Sequence, residues 1–373
     1  MLERIIECCG VFTDKLTIKD DLYTLKGMLL KIKRIPTIID LEKRYENFNV
    51  EIAGEANSSC KRVILLQKKG MMFSKRYKVH NVKINLNFNY FTHTELLSEI
   101  LPKDAELAAF ETVGDIIHLN LSEKQLPYKK EIGEILYKKT KKTVVNKVGK
   151  IDNEFRNYNL EILAPIKSQE ESNTGHLNTI HSENGIKIFI DLKNVYWSSR
   201  LQEERRKLIN KIQTGTIICD PFCGSGPIVL PLLKKNCNVF ANDLNSRAID
   251  CLKKSIKINK LVNKKYQISC EDASIFMKKI ADQNIPVDHF IFNLPEFSID
   301  YIQCLKLFKN NFLLHCYFFV RFPSQNYDEI KVVTKYLNSK LNINVPQKCI
   351  YFVRDVSPTK SVYKLEIEKR DLN

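Results

Sequence analysis

The chain is 373 residues long and carries 59 Lys and Arg against 43 Asp and Glu, a formal net charge of +16. At roughly 100–200 residues per domain, that length predicts two or three domains. A hydrophobic content of 44% with 10% aromatics excludes a disordered chain.

No apolar run approaches the ~20 residues of a membrane-spanning helix. The opening MLERIIECCG contains acids and lacks the pattern of a secretory signal, so neither a membrane nor a secreted protein is expected. The charge excess points to a polyanionic partner, nucleic acid first, because Lys and Arg gain affinity by releasing phosphate counterions. A Lys-rich surface from a biased genome is the alternative. The 11 cysteines are irregularly spaced, with no C-x-x-C pair. That pattern predicts reduced thiols, no disulfide framework and no metal site.

In chain order, Asp21 to Lys31 has Leu22, Leu25, Leu29 and Leu30 at helical spacing. Lys61 to Gln67 and Val79 to Phe88 read as strands, the second with clean alternation. Ala105 to Leu121 reads as a strand pair, and Pro127 to Lys139 as a helix on Ile132, Ile135 and Leu136. Six lysines and no acid then fall between Lys138 and Lys150. Lys167 to Asn178 is polar without periodicity and reads as a linker or loop. Strand Ile186 to Asp191 follows, then a helix containing Leu201, Leu208, Ile209 and Ile212.

From Thr216 strand and helix alternate: strands Thr216–Asp220, Asn238–Asp243, Tyr266–Cys270, Asp288–Asn293 and Phe312–Val320, with helices between them. The helices include Ser298–Lys309 and Tyr327–Leu337. Two late strands, Lys348–Val353 and Val362–Glu368, read as an antiparallel edge pair. Repeated strand–helix units predict an α/β fold, a parallel sheet covered on both faces. The expected division is 1–95, 96–170 and 171–373.

The most specific motif is DPFCGSGP, Asp220 to Pro227, between a strand and a helix. Gly224 and Gly226 allow a tight turn that brings backbone N–H groups against a ligand. Val229 stands where a dinucleotide fingerprint has its third glycine, which favours a smaller ligand. The next strand ends in Asp243, placed to accept from ribose hydroxyls. The third ends in Asp272, placed to accept from an adenine amino group, although a helix N-cap is its other reading. The fourth ends in Asn293, Leu294 and Pro295. Together these make the layout of an S-adenosylmethionine-dependent methyltransferase.

The ordered segments DIIHLNLSEKQLPYKKEIGEIL, VVNKVGKIDNEFRNYNLEILA, VYWSSRLQEER, DPFCGSGP, ANDLNSRA and FNLPEFSI resemble the Rossmann-type tRNA (guanine-37-N1)-methyltransferases, the eukaryotic and archaeal form. The resemblance covers Gly114 to about Ile299, half the chain, and implies several things. The fold would be a class I methyltransferase, a doubly wound, mostly parallel seven-stranded sheet, with smaller α+β N-terminal RNA-binding domains. The cofactor would be S-adenosyl-L-methionine, and the partner a tRNA with guanosine at position 37. Glu204 would be the general base that removes the N1 proton, and Arg156 the cation facing O6. Asn293 and Pro295 would orient guanine, with Tyr196 near the target base. Arg205, Asp220, Gly224, Gly226, Asp243, Leu244, Asp272, Ala273, Asn293 and Pro295 would contact the cofactor. Without the resemblance, Glu204 reads as a solvated salt-bridge residue in a charged helix. Ser199 stands where the family commonly has Pro, just before that helix.

Four other readings stay open: an aminocarboxypropyl transferase of wybutosine synthesis, an amino-methylating enzyme, an RNA-binding protein with an inactive methyltransferase fold, and a nicotinamide-dependent oxidoreductase. The Lys138–Lys150 run and the N-terminal basic clusters are expected to contact the tRNA backbone. A monomer needs no further assumption. A cytoplasmic or nuclear location is expected, with the mitochondrial compartment also open.

Overall fold

A computed structural model describes residues 3–53, 60–67, 77–107, 109–149, 159–165, 177–323 and 328–372. The chain forms two compact units, Met1–Ala108 with Ser122–Lys141, and Ala109–Leu121 with Lys142–Asn373. Residues 96–170 contribute to both.

In the first unit five strands, β1 (Arg4–Thr13), β2 (Ile38–Asp40), β3 (Phe48–Ile52), β4 (Arg62–Leu66) and β5 (Val79–Leu86), pair antiparallel in the order β2–β4–β1–β5–β3. The two strands expected from alternation are β4 and β5. Gly10 lies where a Cβ would come within 2.5 Å of Val63 Cγ1 and 2.7 Å of Val82 Cγ2, so neighbouring side chains close over it.

The helix expected over Asp21–Lys31 is shorter and begins earlier. It is α1 (Ile18–Thr24), followed by a 3-10 turn at Lys26–Met28, after which Leu29 bridges to Leu66. Gly27 is a poor helix former at the break; Leu25 is buried in the core, and Leu22 and Leu29 pack partly buried against it. Helix α2 (His93–Ser98) starts at a Thr92–Glu95 capping box. Helix α3 (Lys129–Thr140) buries the expected Ile132, Ile135 and Leu136. Near its end the Lys139 ammonium donates to Phe88 O at 2.6 Å and sits 4.5 Å over the Phe88 ring.

The second unit begins with β6 (Glu111–Val113), β7 (Ile116–Leu119), β8 (Thr143–Val148) and β9 (Asn159–Ala164), a four-stranded sheet in chain order. A hairpin of β10 (Asn178–Glu183) and β11 (Ile186–Asp191) follows. The main sheet holds β12 (Ile217–Asp220), β13 (Asn238–Asn242), β14 (Tyr266–Ser269), β15 (His289–Phe292), β16 (Leu313–Arg321), β17 (Ile350–Ser357) and β18 (Lys360–Glu368). Its order is β14–β13–β12–β15–β16–β18–β17, with β18 antiparallel to both neighbours and the other pairings parallel. The seven strands and the antiparallel edge pair match expectation.

Alternate residues face opposite sides of a strand, and both sides are apolar here. Ile218, Val239, Ala241 and Ile291 join one core with helices α4 (Gln202–Lys211), α5 (Val229–Lys234) and α6 (Ser246–Ile258). Cys219, Phe240, Phe290, Phe292 and Phe318 join the other, with α7 (Ala273–Asp282) and α8 (Glu329–Leu341). Some elements differ from expectation, β17 among them, which runs to Ser357 rather than Val353. Ser298–Leu307 is a 3-10 helix, and α8 runs past Leu337 to end at a left-handed Asn342 with φ of 54°. Strand order reverses beside β12, so the carboxyl ends of β12, β13, β14 and β15 open onto one crevice, the position where such sheets bind ligands. Among the described residues no helix is long and apolar enough to cross a membrane.

Candidate active site

The crevice is a cavity of about 780 Å³ lying within the second unit. It is lined by Tyr196, Glu204, Arg205, Gly224, Asp243, Leu244, Asp272, Ala273, Asn293 and Pro295, so nearly all the side chains expected at the site converge there. Arg156 lies outside the described residues. Asp220 and Gly226 stand just behind the lining, in the turn itself.

The turn has the left-handed geometry that its glycines suggest. Gly224 has φ of +55° and Gly226 of +86°. A Cβ on Gly224 would meet nothing within 4 Å, whereas one on Gly226 would meet Leu252 Cδ1 at 2.3 Å. Gly224 therefore faces open space and Gly226 packs against α6. Asp220 Oδ1 accepts from Phe222 N at 3.1 Å. Burial, aided by the nearby Asp243 charge and opposed by the Phe222 N–H, pushes the Asp220 carboxyl up to about 8.

Asp243 ties the turn to the second strand: Oδ2 accepts from Gly224 N at 2.8 Å and Oδ1 from Asn245 N at 2.9 Å. Burial raises its carboxyl despite these bonds. Each oxygen keeps a lone pair for a hydroxyl donor. The fully buried Asn242 joins three loops, donating to Pro221 O at 3.3 Å and Glu271 O at 2.9 Å and accepting from Glu271 N at 3.1 Å.

Asp272 holds to its N-cap reading, and its side chain also borders the cavity. It caps α7 through Ser274 N at 2.8 Å, and it lines the cavity, where Tyr301 OH reaches Oδ2 at 3.4 Å. The Ser274 hydroxyl and N–H hold its carboxyl below the usual range. The Asn293–Pro295 loop is fixed by a fully buried serine: Leu294 N donates to Ser298 Oγ at 2.9 Å, and that hydroxyl donates to Phe292 O at 3.1 Å. Phe319 N closes the loop on Pro295 O at 3.0 Å.

Helix α4 turns two neighbouring acids in opposite directions. Glu203 makes the exposed pair with Arg206 at 2.7 Å, while Glu204 faces inward. Glu204 Oε1 accepts from Tyr317 OH at 2.9 Å and from Lys364 Nζ at 3.1 Å. The solvated salt bridge read for Glu204 from composition alone belongs instead to Glu203. Arg205 is buried, with its guanidinium on both oxygens of Glu183 (2.8 and 2.5 Å) and on Ser198 O (3.1 Å), and 5.0 Å from the Trp197 ring. It braces the segment between Tyr196 and Glu204. Ser199 uses the N–H that a proline would lack: it donates to Glu111 Oε1 at 2.5 Å, while its hydroxyl accepts from Trp197 Nε1 at 3.1 Å.

Several cavity residues carry no signal in a single sequence. Tyr301, Tyr317 and Phe319 sit in strand or helix patterns that read as core, and His118, Lys147, Arg200 and Arg354 come from distant segments. Burial lowers both the His118 imidazole and the Lys147 ammonium. Lys142, in the lysine run, donates to Gly114 O at 2.9 Å.

The cavity fits a small nucleoside cofactor. It offers open space over Gly224, two carboxylates on successive strand ends, and a buried Ser225 Oγ that has no hydrogen-bond partner among the described residues.

The TRM5/TYW2 methyltransferase domain matches residues 179–343, and the TYW2 N-terminal domain matches residues 93–164. A tRNA (guanine(37)-N(1))-methyltransferase of Encephalitozoon cuniculi is 42% identical over 90% of this chain and 87% of its own length. One from Dictyostelium discoideum is 37% identical over 77% of this chain and 64% of its own. The solved complex of aTrm5 with tRNALeu shares the fold, with a TM-score of 0.66 at 22% identity over 97% of this chain and 99% of that one. The chain belongs to the family of tRNA (guanine(37)-N(1))-methyltransferases.

Proposed function

We propose that this chain methylates N1 of guanosine 37 in tRNA, with S-adenosylmethionine as donor. The bound cofactor supplies an electrophilic methyl group on a sulfonium. N1 of guanine carries a proton at neutral pH and is a poor nucleophile, so the protein must take that proton and balance charge developing toward O6.

In this reading Glu204 accepts the N1 proton. Asn293 and Pro295 form the floor that holds guanine against the methyl, and Tyr196 flanks the base. Arg156 faces O6. Asp243 accepts from the ribose hydroxyls and Asp272 from the adenine amino group, with Leu244 and Ala273 beside the adenine. Asp220, Gly224 and Gly226 shape the turn that the donor covers, and Arg205 holds the backbone leading to Glu204. The observation that carries the reading is the convergence of an inward Glu204 and the Asn293–Pro295 loop on the cavity that also contains Gly224 and Asp243. A nicotinamide site would leave Glu204 without a role.

The test is incubation with labelled S-adenosylmethionine and transcripts bearing G37 or A37, followed by digestion. 1-Methylguanosine from the G37 transcript alone supports the reading, and label on A37 or on neither opposes it. One alternative has a specific motive, since residues 93–164 match the TYW2 N-terminal domain. Aminocarboxypropyl transfer would add a larger mass to the tRNA, which mass spectrometry separates from a methyl.

The tRNA backbone is proposed to meet Lys138, Lys141 and the N-terminal basic clusters. We place the protein with its tRNA in the cytoplasm or nucleus, acting as a monomer.

A further inference from the structure

The polar groups beneath helix α4 form a ladder that the proposed reaction has not used. Tyr317 pairs with Lys364 across β16 and β18, and His315 pairs with Glu366 one step along. The i, i+2 spacing puts all four on one sheet face, the face toward Glu204 and Lys211 of α4. Lys364 is 4% exposed, yet its ammonium bonds two carboxylates, Glu204 Oε1 at 3.1 Å and Glu366 Oε2 at 3.3 Å. Glu366 also takes Lys211 at 3.1 Å and lies 3.3 Å from His315 Nδ1, and His315 Nε2 meets His289 Nδ1 at 3.1 Å. The Tyr351 ring lies 5.3 Å from Lys364 Nζ.

A buried ammonium is expensive and is usually retained only with good geometry. Here two unlike donors converge on the same oxygen of Glu204. Its other oxygen, Oε2, has no hydrogen-bond donor among the described residues. A carboxylate gripped by one oxygen has a fixed plane and presents the other to an incoming proton.

We propose that Lys364 and Tyr317 are positioning residues for Glu204, holding Oε1 so that Oε2 meets the N1–H of the target guanine. This inference rests on Glu204 being the proton acceptor. Lys364 lies outside the cavity lining, and Tyr317 borders it with its hydroxyl spent on Glu204; both act through the carboxylate. Proton transfer depends on heavy-atom approach within hydrogen-bond reach, and loss of such positioning typically costs about 10²-fold in rate.

The test is a double-mutant cycle on single-turnover methyl transfer, with cofactor and tRNA affinities measured alongside. Lys364→Met is expected to lower the rate about 10²-fold with both affinities unchanged, and Lys364→Arg to recover much of it. Tyr317→Phe, which removes only a hydroxyl, is expected to lose several-fold and serves if Lys364→Met does not fold. In a Glu204→Gln background neither change should cost anything further. Equal losses in both backgrounds, or no loss in the wild-type background, would overturn the proposal. A fully active Glu204→Gln enzyme would instead overturn the assignment of Glu204 itself, an outcome distinct from either.

Discussion

Gly224 and Gly226 are two residues apart in one turn, yet the structure gives an added methyl group a different fate at each. Both have positive φ, +55° and +86°, so alanine at either position carries a left-handed strain of about 1–2 kcal/mol. At Gly226 the new Cβ would also lie 2.3 Å from Leu252 Cδ1. Leu252, on α6, is fully buried, so its side chain must repack, which adds an overpacking cost of about 1–3 kcal/mol. Gly226→Ala should therefore destabilise by about 2–5 kcal/mol and Gly224→Ala by about 1–2 kcal/mol. Binding should rank differently. The methyl of Gly224→Ala projects into open cavity, where the account puts the methyl donor, and should weaken its binding by about tenfold or more, roughly 1.4 kcal/mol. Urea unfolding followed by the buried Trp197, the single tryptophan of the chain, reads stability. Calorimetric titration with S-adenosylmethionine reads binding. Equal destabilisation by the two variants, or unchanged donor affinity in Gly224→Ala, would refute the reasoning.

Glu183→Gln leaves the buried Arg205 guanidinium without its carboxylate, and unfolding should become easier by about 3–5 kcal/mol; a shift in the urea midpoint checks it. Asp220 gives a pH signature. Its carboxyl protonates near 8 in the folded chain against 3.8 when unfolded, so the native state binds the extra proton between those values. Stability from this group is therefore full below about 3.8 and is lost as pH rises toward 8. Urea midpoints of donor-free protein should fall over that range, and Asp220→Asn should flatten the fall. Ser298→Ala removes the hydroxyl that holds Leu294 N and Phe292 O. It should cost about 1–3 kcal/mol in stability and slow methyl transfer more than it weakens donor binding.

The strand–helix alternation from Thr216 onward was legible because each strand is short, apolar and bounded by a turn or polar signal, and each helix keeps one apolar stripe. The ladder from DPFCGSGP to Asp243, Asp272 and Asn293 was legible for the same reason, since strand ends in such a sheet converge whatever their spacing. Other features needed the fold. Asp21–Lys31 looked helical because leucine spacing does not show that Gly27 breaks the run. Ser298–Leu307 forms a 3-10 helix, which shares its pattern with an α-helix over so few turns. Glu204 and Glu203 are indistinguishable in a charged run until the helix phase against β16 and β18 is known. The lysines from Lys138 to Lys150 read as one basic patch, yet Lys139 and Lys142 spend their ammonium groups on backbone carbonyls. That leaves Lys141, and Lys138 through an exposed ammonium paired to Glu134 at 3.1 Å, as the better candidates for phosphate contact.

The most direct measurement of the central claim is single-turnover methyl transfer to a G37 tRNA transcript by the wild-type chain and by Glu204→Gln, with donor affinity measured for both. The account predicts 1-methylguanosine from the wild type. For Glu204→Gln it predicts a rate lower by about 10²–10⁴-fold, the usual worth of a general base, at unchanged donor affinity. Absence of 1-methylguanosine from protein that binds the donor, or full activity in Glu204→Gln, would contradict it.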